Sequence, residues 1–338
     1  SWVLMSASAS IPLMVALPDL SFTDAYFEAV SGITTTGSTV LHGLDYLPPS
    51  INVWRTMLHW LGGIGIIVLA VAILPLLGVG GMQLYKAETP GPVKDEKLTP
   101  RITETAKALW LTYLLFTVAA IAALKLCGLS WLDSVCHAFS VMGLGGFSSR
   151  DASIGAFDTA AVEIVLSVFM VLASVSFARH FVALRTFSLK PYQRDTQGKA
   201  VLMVLGGSIL LIARLLTISG TYPDLLESLR HTTFNVISVA TTTGFSSENY
   251  ELWPLFAPVW MLFLSCILCS TGSTGGGIKM FRTLLLWRQA AREFKQLVHP
   301  SAVIPIRIGG NVVPDRIIYS VLAFIFLYFM TVAAVPFS

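Results

Sequence analysis

Long apolar runs and shorter amphipathic ones follow one another along the chain in a fixed order. Residues 1–17 are apolar and uncharged, which predicts a membrane helix at the short limit of about 17 residues. Pro18, Asp19, Leu20 and Ser21 break it. Ser21 or Thr23 can cap the next segment, with Asp24 in its first turn. From Thr23 to Gly32 is about ten residues, roughly 15 Å of helix and half a bilayer. A half-length helix followed by irregular backbone is tolerated at membrane depth only where protein surrounds it or where it lines a water-filled cavity. Residues 54–79 then predict a full span, with Gly62, Gly63 and Gly65 allowing close helix approach.

The order recurs twice. Residues 106–129 span, 133–142 form a half-helix, 143–148 a tip, and 160–178 span back. Next, 199–218 span, 225–239 re-enter, 241–246 form a tip and 253–271 return, and the apolar run 317–336 opens a further unit. The tips themselves align. Ser31-Gly32-Ile33-Thr34-Thr35-Thr36-Gly37-Ser38 reappears in altered form 109 residues on and again 98 further, so that Ser31, Ser140 and Ser238 coincide, as do Gly37, Gly146 and Gly244. Extending the period places a fourth tip between about residues 342 and 353, past Ser338, so the fourth unit is expected to be truncated. The expected architecture is an all-α polytopic membrane protein. Its repeated units, each span, pore helix, filter loop and span, surround a pseudo-fourfold pore. The expected units are 1–80, 81–178, 179–315 (which includes a gating loop and a cytoplasmic segment) and the first helix of a fourth, 316–338.

Composition agrees with this and narrows it. Of 338 residues 54% are hydrophobic and 12% charged, with a mean hydropathy of +0.73, which excludes an ordinary soluble domain. No basic region precedes the first apolar run, so it does not read as a signal peptide. The four cysteines sit in apolar settings; Cys266 and Cys269 form a C-x-x-C with no second pair to complete a zinc site. Lys and Arg gather in the connecting segments: five in 86–107, five in 179–199 and seven in 279–316. Segment 19–45 has none, and 128–163 and 220–251 have one each. By the positive-inside rule the connections are cytoplasmic and the tips face outward. Nothing in the chain points to nucleic acid.

The tips suggest their own chemistry. A dehydrated monovalent cation needs oxygen ligands, and backbone carbonyls supply them without burying a charge. Gly37, Gly146 and Gly244 give such loops the φ they need, and the threonines at 34–36 and 241–243 keep backbones close. The C-terminal ends of the half-helices, partially negative, point at the tips and favour a cation. A second glycine cluster, Thr271-Gly272-Ser273-Thr274-Gly275-Gly276-Gly277-Ile278-Lys279, resembles a phosphate loop but places its lysine one position late and Met280 where Ser or Thr is required. It is expected to line the cavity below the tips as a moving element, or else simply to end the helix. His59 and His137 read as hydrogen-bonded packing residues, and Lys125 and Arg214 as snorkelling ones. Arg55 and Glu163 open returning spans and are expected to pair with interfacial groups. A hydrolase built on Ser38 or Ser273 is disfavoured, because no histidine and acid converge with either.

Taken together, Phe22-Thr23-Asp24-Ala25, the first tip, Gly145-Gly146-Phe147-Ser148 with Asp151-Ala152-Ser153-Ile154-Gly155, Ala240-Thr241-Thr242-Thr243-Gly244-Phe245, and the cluster from Gly272 to Lys279 resemble the TrkH family of Trk-type potassium uptake proteins, in the TrkH/Ktr/HKT superfamily. The resemblance runs over essentially the whole chain. It implies potassium uptake across the bacterial inner membrane, with potassium as substrate, no covalent cofactor and no enzymatic activity. It implies potassium-binding carbonyls at Thr35, Thr36 and Gly37, at Leu144, Gly145 and Gly146, and at Thr242, Thr243 and Gly244. It implies a gate at Gly272, Ser273, Thr274, Gly275, Gly276, Gly277 and Lys279. A homodimer is implied too, working with a TrkA-like cytoplasmic regulatory subunit that alone binds nucleotide. Glycine at the first tip goes, in the superfamily, with potassium in preference to sodium. Ion-coupled symport, or weakly selective passage of sodium and potassium, is the alternative.

Overall fold

The computed structural model describes residues 2–68 and 102–334. The inner part of the expected span 54–79 and most of the basic segment 86–107 lie outside the described residues. Among those described, the first unit consists of α1 (Trp2–Ala16), the half-length α2 (Phe22–Ile33) and α3 (Pro49–Val68). Ser21 caps α2: its hydroxyl accepts from the N–H of Asp24 at 3.1 Å and donates to that carboxylate at 2.8 Å. The same box opens α5 (Trp131–Gly143), which follows α4 (Ile102–Leu126), with Ser130 and Asp133 in place of Ser21 and Asp24.

The second returning span is not the single helix expected over 160–178. It runs as α6 (Ala160–Ser174) and then turns through 100° into α7 (Phe177–Thr186). A short turn, Lys190–Gln193, leads to α8 (Thr196–Ile218), capped by Asp195, whose carboxylate accepts from the N–H of Gln197 at 3.1 Å. The third half-helix, α9 (Leu225–Ala240), is capped by Asp224 and begins one turn earlier than its two counterparts. His231, which aligns with Asp24 and Asp133 in sequence, therefore sits inside the helix and not at its end. α10 (Phe256–Ile267) is shorter than the expected 253–271, and an irregular segment separates it from α11 (Met280–Val298). A two-residue antiparallel hairpin, β1 (Arg307–Ile308) with β2 (Asn311–Val312), precedes α12 (Asp315–Ala334); the sequence pattern did not predict it.

Among the described residues three helices, Glu104–Leu126, Thr196–Ile218 and Asp315–Ala334, are long and apolar enough to cross a bilayer, and the bent pair adds a fourth if it counts as one span. Their outward faces carry exposed large apolar side chains, such as Leu115, Leu211 and Leu327, as a lipid-facing surface requires. Inside, each half-helix packs between spans. The main core gathers Leu109, Tyr113, Met142, Phe177, Phe234 and Phe245, all nearly or fully buried. Lys125 does more than snorkel: its ammonium donates to the carbonyl of Leu129 at 2.9 Å and lies over the Trp131 ring, so it ties the end of α4 to the start of α5.

Candidate functional site

Each half-length helix ends in the same backbone turn. After α2 the N–H of Thr35 donates to the Gly32 carbonyl at 3.1 Å and that of Thr36 to Ser31 at 2.9 Å. After α5 the pairs are Leu144 to Val141 at 3.1 Å and Gly145 to Ser140 at 3.0 Å. After α9 they are Thr242 to Val239 at 3.0 Å and Thr243 to Ser238 at 2.8 Å. This is the Schellman arrangement, which needs a left-handed residue just past the cap. Thr35, Leu144 and Thr242 occupy it with φ of +54°, +53° and +62°. A side chain there costs roughly 1–2 kcal/mol relative to glycine, strain that persists only because the surroundings impose it. Two residues on, Gly37, Gly146 and Gly244 have φ of +82°, +82° and +90°. The six residues keep the register of the sequence repeat.

The turns divide the loops' hydrogen bonding in two. Their N–H groups reach back to their own helices. In contrast, among the described residues no donor reaches a carbonyl oxygen of Thr35, Thr36, Gly37, Leu144, Gly145, Gly146, Thr242, Thr243 or Gly244. Buried backbone carbonyls are normally paired; in these three equivalent loops nine carbonyls receive no donor from the described residues.

The loops also meet in sequence order. A Cβ on Gly37 would collide with the carbonyl oxygen of Gly145, and one on Gly146 with the carbonyl oxygen of Thr243, the residue equivalent to Gly145. Gly244 has nothing within 4 Å of the same position. The structure thus sets the first loop against the second, at Gly37 and Gly145, and the second against the third, at Gly146 and Thr243.

Side chains brace the loops from behind in a pattern that motif reading missed. Nine residues before each loop glycine stands a polar residue, Glu28, His137 or Asn235, and it bonds a hydroxyl just beyond the loop. The pairs are Thr39 to Glu28 at 2.9 Å, His137 to Ser148 at 2.9 Å and Asn235 to Ser247 at 3.0 Å. Each pair closes the loop against its own half-helix. The signal was present as a periodic polar residue on an otherwise buried face, but one half-helix at a time it reads as packing.

Arg55 departs from the sequence expectation. It is fully buried and pairs with the equally buried Glu28 at 2.6 Å. It also donates to Asn52 at 3.4 Å, to the Ser148 carbonyl at 3.3 Å and to Thr39 at 3.1 Å, and its guanidinium lies 4.3 Å from the Phe147 ring centre. An interfacial partner is excluded because no part of it reaches the interface. Glu163 likewise pairs inward, with Arg230 on α9 at 2.8 Å. Arg150 bridges Asp45, between α2 and α3, at 3.0 Å and Asp133, on α5, at 2.9 Å. The N–H of Asp151 and the Arg150 guanidinium hold the Asp45 carboxyl below its ordinary range.

The glycine cluster lies directly beneath the loops. Gly272, Gly277 and Lys279 have φ of +80°, +77° and +75°. The Thr274 hydroxyl donates to the Met142 carbonyl at 3.0 Å, the N–H of Gly276 to the Thr242 hydroxyl at 2.9 Å, and the Cys269 thiol to the Thr241 carbonyl at 3.4 Å. Gly275 has no room for a Cβ against Cys269, and the Lys279 ammonium folds back onto the Gly275 carbonyl. Ser273 bonds within the cluster, to the Ser270 carbonyl at 2.7 Å. The same loop fills the bend between α6 and α7. Its Ser270 and Thr274 N–H groups donate to the carbonyls of Ser174 at 2.9 Å and Ala173 at 3.4 Å, and its Gly272 carbonyl accepts from Phe177 at 3.1 Å. From the start of α8, Gln197 accepts from the N–H of Thr271 at 3.0 Å.

Repeated re-entrant half-helices, a set of free carbonyls at their meeting point and a polar plug beneath define the class: a helical membrane protein that passes ions across a bilayer. The sequence pattern of the family described as TrkH, cation transport protein, matches residues 1–336, and the chain belongs to that family. It is 47% identical to the Trk system potassium uptake protein TrkH of Halomonas elongata over 99% of this chain and 70% of that protein. It is 45% identical to the protein of the same name from Escherichia coli K12, over 97% of this chain and 68% of that one. Its fold is similar to the crystal structure of the potassium transporter TrkH from Vibrio parahaemolyticus, with a TM-score of 0.87 and 42% identity, over 97% of this chain and 68% of that chain.

Proposed function

We propose that the protein takes potassium into the cell through a filter made of the nine unpaired carbonyls at Thr35, Thr36, Gly37, Leu144, Gly145, Gly146, Thr242, Thr243 and Gly244. The single observation that carries this is their freedom from hydrogen-bond donors while every loop is tied back through its N–H groups. The C-terminal ends of α2, α5 and α9 add negative potential where the ion sits. Potassium is the ion because the relatives named above are potassium uptake proteins and because Gly37 leaves no space for a side chain beside the second loop.

The units 1–80, 81–178, 179–315 and 316–338 contribute in turn around the pore. The loop over 272–277, with Lys279, is the gate, supported by its bonds to the undersides of the second and third filter loops. The distribution of Lys and Arg supports outward-facing filter loops in the inner membrane. Relatives named as parts of a Trk system support a further partner in that system; in this reading it is a cytoplasmic subunit of the TrkA kind, which would bring any nucleotide, and the chain acts as a dimer.

The test is potassium and sodium uptake by the full-length protein in cells lacking other potassium uptake, for wild type and Gly37→Ser. Wild type is expected to take up potassium. The variant is expected to lose preference for potassium over sodium, because a serine Cβ collides with the Gly145 carbonyl at a φ that disfavours any side chain. A wild type that moves neither ion overturns the reading; unchanged selectivity in Gly37→Ser overturns the filter assignment.

A further inference from the structure

The second filter loop lacks the hydroxyl brace that the other two possess. In the first, the Thr34 and Thr36 hydroxyls bond each other at 2.8 Å, and Thr34 also donates to the Val30 carbonyl at 2.7 Å. In the third, Thr241 and Thr243 do the same at 2.8 Å, with Thr241 donating to Ile237 at 2.7 Å. The equivalent positions of the second loop are Gly143 and Gly145, which have no side chains to pair.

The vacated space is filled from another unit. His59, on α3, is fully buried. A Cβ on Gly145 would lie 2.5 Å from its Cγ and Cε1, and one on Gly143 would lie 2.5 Å from its carbonyl oxygen. Its Nδ1 bonds the Ser140 hydroxyl at 3.1 Å, on the residue whose carbonyl receives the N–H of Gly145. Its ring stacks on Phe147, the residue after Gly146, with centroids 4.1 Å apart. The imidazole therefore touches the end of α5 at Ser140, the second loop at Gly145 and its exit at Phe147, while the His59 main chain closes on Gly143.

We propose that His59 is a positioning residue of the filter, the substitute, supplied by the first unit, for the threonine pair that braces the first and third loops. The proposal rests on the filter reading above. With the ring in place the Gly145 carbonyl is held facing Gly37; without it, the second loop keeps the His137–Ser148 brace beyond its exit but has no hydroxyl pair of its own to resist a shift of its carbonyls. A displacement of about 1 Å in such a site is enough for large losses of function.

The test uses full-length protein in liposomes, measuring potassium against sodium flux, with protein amount and thermal stability measured alongside. His59→Ala is expected to lower the potassium preference about tenfold more than it lowers total cation flux. His59→Gln, which keeps a partner for Ser140, is expected to retain more of it. Gly145→Thr supplies the discriminating comparison. Alone it collides with the imidazole and damages selectivity; in the His59→Ala background the space is open, the threonine is accommodated and selectivity improves over His59→Ala. Selectivity unchanged in His59→Ala, or Gly145→Thr equally harmful in both backgrounds, overturns the proposal. Should His59→Ala not fold, the order of wild type and His59→Gln against His59→Leu decides: equal selectivity in Gln and Leu overturns it. A wild type with no ion preference would sink the filter reading instead.

Discussion

Removing the buried guanidinium of Arg55 is a severe test of how the filter is held. Arg55→Ala leaves Glu28 fully buried and stripped of its 2.6 Å partner. It also removes donors from Asn52, Thr39 and the Ser148 carbonyl. Breaking one side of a buried pair costs about 3–5 kcal/mol, most of it the penalty of an uncompensated buried charge. That is a large share of a total stability of roughly 5–15 kcal/mol. At roughly 2 °C per kcal/mol for a large chain, it corresponds to a fall of about 6–10 °C in apparent melting temperature. Glu28→Gln paired with Arg55→Met removes both charges while keeping volume, and it should recover more than half of the loss. The assay is thermal unfolding of the purified full-length protein for Arg55→Ala and for Arg55→Met, Glu28→Gln and their double variant, the last three read with wild type as a mutant cycle. Potassium uptake is measured in parallel, since Thr39 and Ser148 each stand two residues past a glycine of the proposed filter loops. A loss below about 1 kcal/mol in Arg55→Ala, or a double variant as unstable as the sum of the singles, would refute the reasoning.

Two further outcomes follow from the geometry. Because Asp45 has its carboxyl lowered by the Asp151 N–H and by Arg150, its ion pair stabilises the protein above the ordinary carboxylate pKa of about 4. That contribution disappears as pH falls through the lowered value, so stability measured from pH 6 downward should fall less steeply in Asp45→Asn than in wild type; equal slopes would refute it. Thr274→Val keeps the side-chain shape but loses the donation to Met142, worth about 1 kcal/mol and so about a fivefold shift toward the undocked loop. Raised potassium flux in liposomes without a cytoplasmic partner checks this, and flux equal to wild type counts against the gate.

The repeat was legible in residue types because glycine is a stereochemical requirement: Gly37, Gly146 and Gly244 mark positive φ wherever the loop recurs. Half-helix lengths were legible too, since capping and apolar period define both ends, and α2 and α5 fall within two residues of expectation. What stayed hidden depends on contacts between distant parts of the chain. The partner of Arg55 lies 27 residues away in sequence, and no local pattern distinguishes a buried arginine near a span's start from an interfacial one. His59 is set against a loop more than eighty residues on, and its meaning comes from the side chains that Gly143 and Gly145 lack. The bend after Ser174 was invisible because residues 164–178 carry no charge, proline or glycine to mark it; the partners that make the break tolerable belong to another segment altogether.

Those partners give the bend a consequence for water. The carbonyls of Ala173 and Ser174 and the N–H of Phe177 are satisfied by Thr274, Ser270 and Gly272. On the proposed gating, withdrawal of the loop strips all three at membrane depth, where an unpaired backbone group costs several kcal/mol. Solvent entering from the cytoplasm is the replacement at hand. Opening is then a hydration event: the molecules that heal the broken helix are the same ones that wet the passage beneath the filter, so the path cannot clear without becoming aqueous. Raised osmotic pressure from a solute too large to enter should for that reason hold the protein shut.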